Sequence, residues 1–220
     1  VSKPVALAIY STDNSADCSA GDASCSIFKK AGESFDLEIK AACWVDNDDS
    51  DYSNNPVTAN FELASIGLDH SLIAPSGGNL GSLSNASVNF TTSDNGVHTV
   101  SQSVSEVGVF TFDLNPPIYF GESINTAASD NIGRFYPDHF EVTATDDGAF
   151  SDYACGTFSY SGQSFNYTTN PTLTISAYNA ADTAVITQNY TGDFVKLVAS
   201  NFRFTQPTTD ALQTGVDGNL

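Results

Sequence analysis

The chain repeats itself. Pro4-x-x-Leu7-x-Ile9-x-x-Thr12-Asp13-Asn14 returns as Pro137-x-x-Phe140-x-Val142-x-x-Thr145-Asp146-Asp147. Cys25-x-x-Phe28-x-x-x-Gly32-Glu33-Ser34-Phe35-Asp36 returns as Cys155-x-x-Phe158-x-x-x-Gly162-Gln163-Ser164-Phe165-Asn166. Leu37-x-Ile39-x-Ala41 then matches Leu173-x-Ile175-x-Ala177, and Asn60-Phe61 matches Asn189-Tyr190. A 220-residue chain that matches itself repeatedly and in order is two related domains in tandem, each of ordinary domain length.

The repeated stretches have the period of strands. Phe35 to Ala41 alternates apolar and charged residues, as a half-buried strand must because successive side chains point to opposite faces. Val5–Ile9, Ala59–Leu63, Val107–Leu114, Phe140–Thr145, Leu173–Ala177 and Phe202–Phe204 alternate similarly, with Asn, Asp, Gly, Ser and Pro clusters between them. Apolar residues at three-four spacing are rare, so helices are not expected. The fold class that follows is all-β, two tandem immunoglobulin-like β-sandwiches. The first is expected over 1–116, with a linker over 117–133 that opens on Pro116-Pro117, and the second over 134–220. The second copy is shorter and has no visible counterpart of Val97–Glu106 or Val107–Leu114, so it is expected to be incomplete. Either further residues or a strand donated by another copy would finish it. Val1 is not a Met and no signal-like segment follows it, which reads as a piece of a longer or processed precursor.

Charge excludes some functions. The chain holds 26 acidic and 7 basic residues, a net charge of -19, where phosphate-backbone binding requires a Lys/Arg surplus. Nucleic acid is therefore not expected as a partner. No apolar run is long enough for a membrane-spanning helix. Such a surface resists association by self-repulsion and attracts divalent cations, which suits an extracellular setting.

The four cysteines include no Cys-x-x-Cys pair, and His70, His98 and His139 are far apart, so disulfides are favoured over zinc. Cys18 and Cys25 flank a short polar loop that they could close, which leaves Cys43 with Cys155; other pairings and free thiols are the alternative. The first copy alone carries an acidic insertion, Asp46-Asn47-Asp48-Asp49-Ser50-Asp51. Asp46, Asp48, Asp49 and Asp51 offer the hard oxygens that Ca²⁺ prefers, although Asp51 and Val57 stand where an EF-hand loop needs Gly and Glu; the alternative is a solvated acidic turn. Asp146, Asp147 and Asp152 read as a plain turn. Trp44, beside the acidic run, is either a sugar-stacking surface or a buried core residue next to Cys43. Asn85, Asn89, Asn166 and Asn189 begin Asn-x-Ser/Thr triplets, which arise by chance in a chain this rich in those residues. No nucleophile elbow, zinc-protease motif or phosphate loop is present, so the chain is read as not an enzyme.

Ile132-Gly133-Arg134-Phe135-Tyr136-Pro137-Asp138-His139-Phe140, with Ala154-Cys155-Gly156-Thr157-Phe158-Ser159-Tyr160, Ala177-Tyr178-Asn179-Ala180, Gln188-Asn189-Tyr190-Thr191-Gly192 and Ala41-Ala42-Cys43-Trp44-Val45-Asp46, resembles MshQ-like proteins of the mannose-sensitive haemagglutinin type IV pilus system of Gram-negative bacteria. The resemblance implies a large exported, cell-surface or pilus-associated protein with immunoglobulin-like and lectin-like domains, and brings no catalytic residues. The expected function is a non-catalytic adhesion or spacer module whose partners are other domains, other copies or pilus components. A filament subunit assembled by strand donation is the first alternative, and a Ca²⁺-dependent module binding surface glycans is the second.

Overall fold

The computed structural model describes residues 2–49, 51–146, 148–150 and 166–202. Alternation becomes strands nearly everywhere it occurs. In chain order these are β1 (Ala6–Tyr10), β2 (Phe35–Ala42), β3 (Leu63–Ala74), β4 (Ser87–Phe90), β5 (Val97–Gln102), β6 (Gly108–Leu114) and β7 (Ile118–Tyr119). β8 (Glu122–Ser123), β9 (Asn125–Ala127), β10 (Ile132–Phe135), β11 (His139–Asp146), β12 (Ala149–Phe150), β13 (Tyr167–Thr169) and β14 (Thr172–Tyr178) follow. Helix among the described residues is confined to short 3-10 turns.

Two four-stranded sheets, ordered β5-β2-β1-β9 and β10-β6-β3-β4, form the all-β sandwich. Leu7, Ile9, Leu37 and Ile39 of the first sheet share a core with Ile66, Leu68, Phe110, Phe112 and Phe135 of the second. Each such side chain, fully withdrawn from water, contributes about 1.5–3 kcal/mol. Phe28 and Phe35, both positions of the sequence repeat, meet edge to face at 5.5 Å, and Phe28 meets Phe135 the same way. The residues that recur in the sequence are thus those that fill this core.

The stretch 117–133 is not the expected linker. After the two prolines, β7 and β8 form a small hairpin, β9 joins β1 in parallel, and β10 pairs antiparallel with β6. Buried Ile124 and Ile132 tie this stretch to the sandwich core, so the first unit runs past 116 to Phe135. Two expected strands also differ. Residues 58–61 form a turn closed by Phe61 N–H to the Thr58 carbonyl, so only Leu63 of Ala59–Leu63 enters a strand. Phe202 follows a 3-10 turn, and residues 203 and 204 lie outside the described residues.

In the second copy β11 pairs antiparallel with β14. Its register reproduces the first copy: Leu7 faces Ala41 and Ile9 faces Ile39, as Phe140 faces Ala177 and Val142 faces Ile175. Where the Asn60/Asn189 match would place a counterpart of β3, residues Gly192–Phe194 and Ala199–Asn201 form 3-10 turns. Among the described residues, β11 and β14 therefore have no facing sheet of their own.

Candidate functional site

The acidic insertion leaves the end of β2 and returns beside it, with Cys43 N–H donating to the Pro56 carbonyl at 2.8 Å. Short polar side chains in such a loop accept from backbone N–H groups two residues on. Asp46 accepts from Asp48 N–H at 2.9 Å, Asp49 from Asp51 N–H at 3.1 Å, and Asp51 from Ser53 N–H at 3.0 Å. The Ser53 hydroxyl and backbone hold the Asp51 carboxyl below the usual carboxylate range, with Asn54 adding to the effect. Buried Asn55 links the loop to its base, donating to the Asp49 carboxylate at 2.6 Å and to the Cys43 carbonyl at 3.0 Å. The loop thus turns the Asp46, Asp49 and Asp51 carboxylates onto its own N–H groups. Among the described residues no three His, Cys, Asp or Glu side chains form a group that could hold a metal ion, and Ser50, Asp147 and Asp152 lie outside them. Asp146 accepts from Gly148 N–H, as a turn residue does.

Trp44 is 62% exposed and so is not the core residue that a sandwich often buries. Asp51 and Tyr52 instead line an open groove of about 530 Å³ with Tyr10 and Asp130. Nothing in the sequence places Tyr10 and Asp130 beside the acidic run, since β9 brings that wall in from what looked like a linker. Cys18 and Cys25 are disulfide-bonded. Cys43 is a free thiol, half-buried, 3.4 Å from the Thr58 hydroxyl, and Cys155, expected to pair with it, lies outside the described residues.

The densest polar constellation lies between the copies. The buried Glu106 carboxylate accepts from Gln188 N–H at 3.0 Å and from Asn189 N–H at 3.2 Å. The Asn189 side chain donates to the Asn79 and Val107 carbonyls at 2.7 and 2.9 Å and accepts from Asn79 N–H at 2.6 Å. It is 1% exposed, so this triplet is not open to a glycan in the folded chain. Asn179 donates to the Ser105 carbonyl at 3.1 Å, and Ala180 N–H to the Ala31 carbonyl at 2.7 Å. Gly32 is required where these backbones meet: its φ is +84°, and a Cβ there would stand 2.9 Å from the Ala181 nitrogen. At the edge Lys30 pairs with Asp138 at 2.7 Å; the Lys30 hydrogen bond, then that of His139, lowers the Asp138 pKa, and Asp138 raises that of Lys30. Sequence reasoning singled out Asn189 as a repeat position but missed Glu106, Asn79 and Asn179, because polar residues carry no periodic signal.

His70 of β3 is a second buried polar group. Its Nε2 lies 3.0 Å from the Leu80 carbonyl, which assigns the proton there, while Nδ1 has no hydrogen-bond partner. Burial pushes its pKa below the ordinary 6.5.

These features define an all-β sandwich protein with one disulfide-closed loop. The chain belongs to the DUF6701 family: residues 3–101 match its second domain and residues 106–219 its third domain. No curated protein and no solved structure matches the chain. Among the described residues no helix is long and apolar enough to cross a membrane.

Proposed function

We propose that this chain is a non-catalytic adhesion and spacer module of an exported surface protein, whose two copies are locked together so that the parts at either end keep a fixed separation. The junction at Glu106 and Asn189 carries the reading. A flexible tether leaves domains free to swing, whereas here the buried side chains of Glu106, Asn179 and Asn189 hydrogen-bond across the junction, joining residues 79, 105 and 106 of the first unit to 179, 188 and 189 of the second. The Cys18–Cys25 bond suits an oxidising compartment, and a charge of -19 keeps crowded surface copies apart. Partners in this role are other domains or copies of the same protein, or pilus components.

The test is a distance measurement. Spin labels at Thr99 and Thr172, in a Cys43→Ser, Cys155→Ser background, should give one narrow distribution that broadens in Asn189→Ala. A broad distribution before that substitution overturns the spacer reading.

One observation favours a second reading. The exposed Trp44 indole offers a face for sugar stacking, and Ca²⁺ is the ion this reading would take. The Asp46, Asp49 and Asp51 carboxylates would have to leave their own N–H groups to ligate it. A glycan array with and without EDTA, empty in both conditions, removes this reading.

A further inference from the structure

The two copies make the same hairpin pairing and meet opposite fates. In the first, Leu7, Ile9, Leu37 and Ile39 are buried beneath β3, β6 and β10. In the second, the same face of β11 and β14 leaves Val142 55%, Leu173 51% and Ile175 36% exposed. One end of that face is partly covered, where Ala177 is buried and Phe140, still 37% exposed, packs one side of its ring against Tyr190 at 5.3 Å between ring centres. Tyr190 in turn packs on the cluster of Val107, Val109 and Phe194, so the bare part continues an interface that already exists.

What covers such a face can be read from the first copy. The second-domain match ends at 101, yet β6 and β10 of the facing sheet, and β9 at the edge of the first sheet, all fall within the third-domain match. β3 and β4 of the facing sheet lie in the second-domain match, so the module that follows supplies the other half of that sheet, β10 and β6. A second copy of this chain fits the bare face poorly. Two strands of seven or eight residues present roughly 25 by 10 Å, far below the roughly 800 Å² per partner of a stable interface. Two chains each carrying -19 also repel. A tethered segment does not need that area, because its effective concentration is high.

We propose that the apolar face formed by Val142, Leu173 and Ile175 is the docking site for a closing β-segment of the kind formed by residues 106–135, supplied by a further module of the same pattern. This goes beyond the spacer reading, since the junction distances can hold whether or not this face is covered. The test extends the chain. Aligning Asn189 with Asn60 sets Leu220 against Thr91, so the chain's own residues 92–135 are appended after Leu220. Amide exchange is then read at 139–146 and 172–178.

The expected result is a gain in protection on the order of a hundredfold in both strands. The gain should be absent when the appended counterparts of Phe110, Phe112 and Leu114 are serine, and absent in Val142→Ser/Ile175→Ser, whose changes fall on exposed positions. The proposal is overturned by equal protection with the serine extension or by no gain at all. Protection in the unextended chain already equal to that of β1 and β2 overturns it too, since residues 151–165 or 203–220 would then provide the cover. So does protection that rises with concentration, which would mark a second copy.

Discussion

Ile39 and Ile175 stand at matching places in matching hairpins, one fully buried and the other 36% exposed. The pairing register is common to both copies, so local alternation is sufficient to specify it. Burial is not a property of the hairpin: it comes from the sheet laid across it. The face-to-face layer supplies the stability that cross-strand pairing alone does not, which is why an isolated two-stranded ribbon is marginal in water.

The strongest way to break this comparison is to make the same substitution in both copies. Ile39→Ala should cost about 2–5 kcal/mol because it opens a cavity among side chains that cannot collapse. Ile175→Ala should cost about 1 kcal/mol or less, with water already at the site. Urea unfolding of the two variants measures the difference, and equal losses would mean that the second hairpin is as enclosed as the first. Next in size is Cys18→Ser/Cys25→Ser. The bond closes a loop at a sequence separation of 7 in the first copy, and its removal should cost about 2.5 kcal/mol through loop-closure entropy in the unfolded chain. Exchange at β11 and β14 should be untouched.

Glu106→Gln acts on the junction rather than on either copy. An amide keeps the size of the carboxylate but loses the charge, and its NH₂ opposes an N–H of Gln188 or Asn189 where both Glu106 oxygens now accept. A loss of about 2 kcal/mol is expected, carried by amides 187–190 in hydrogen exchange while β2 stays protected. A uniform loss across the chain would mean that the copies unfold as one unit.

Strands whose inward positions are all apolar were legible. β1, β2, β6, β11 and β14 lie within a residue or so of the expected spans. β3, the longest strand, was not, because His70 fills an inward position between Leu68 and Leu72 and Ser65 bends the chain at φ 58°. The linker reading failed for a related reason: β9 and β10 are three and four residues long, too short to alternate visibly, and are held by the burial of Ile124 and Ile132. At the candidate site, the local pattern shows only part of the arrangement. Asp46, Asp49 and Asp51 stand close together in the sequence, which does not reveal that each accepts from a backbone N–H two residues on. The groove wall is made by Tyr10 of β1 and Asp130 between β9 and β10, remote positions that no local pattern announces.

The smallest effect at neutral pH, and the most specific to the closing sheet, belongs to His70. Its ring is buried beside Phe110 and Phe112, donates to Leu80, and leaves Nδ1 unpaired with the Asp69 carboxylate 3.8 Å away. Burial disfavours the charged ring more than Leu80 and Asp69 favour it, so the folded pKa lies below the unfolded 6.5. Above that value the ring is neutral in both states and contributes no pH dependence. As pH falls through 6.5 the unfolded chain takes up a proton that the folded chain refuses, and stability drops until the folded pKa is reached. His70→Gln keeps a donor for Leu80 and cannot titrate. The difference in unfolding free energy between the original chain and His70→Gln should be flat above pH 7 and slope against the original chain below 6.5. The aligned residue in the second copy, Ala199, sits in a 3-10 turn rather than a strand, so acid should loosen β1 and β2 through this route and leave β11 and β14 unaffected. A slope that survives in His70→Gln would assign the acid response to carboxylates shared by both copies.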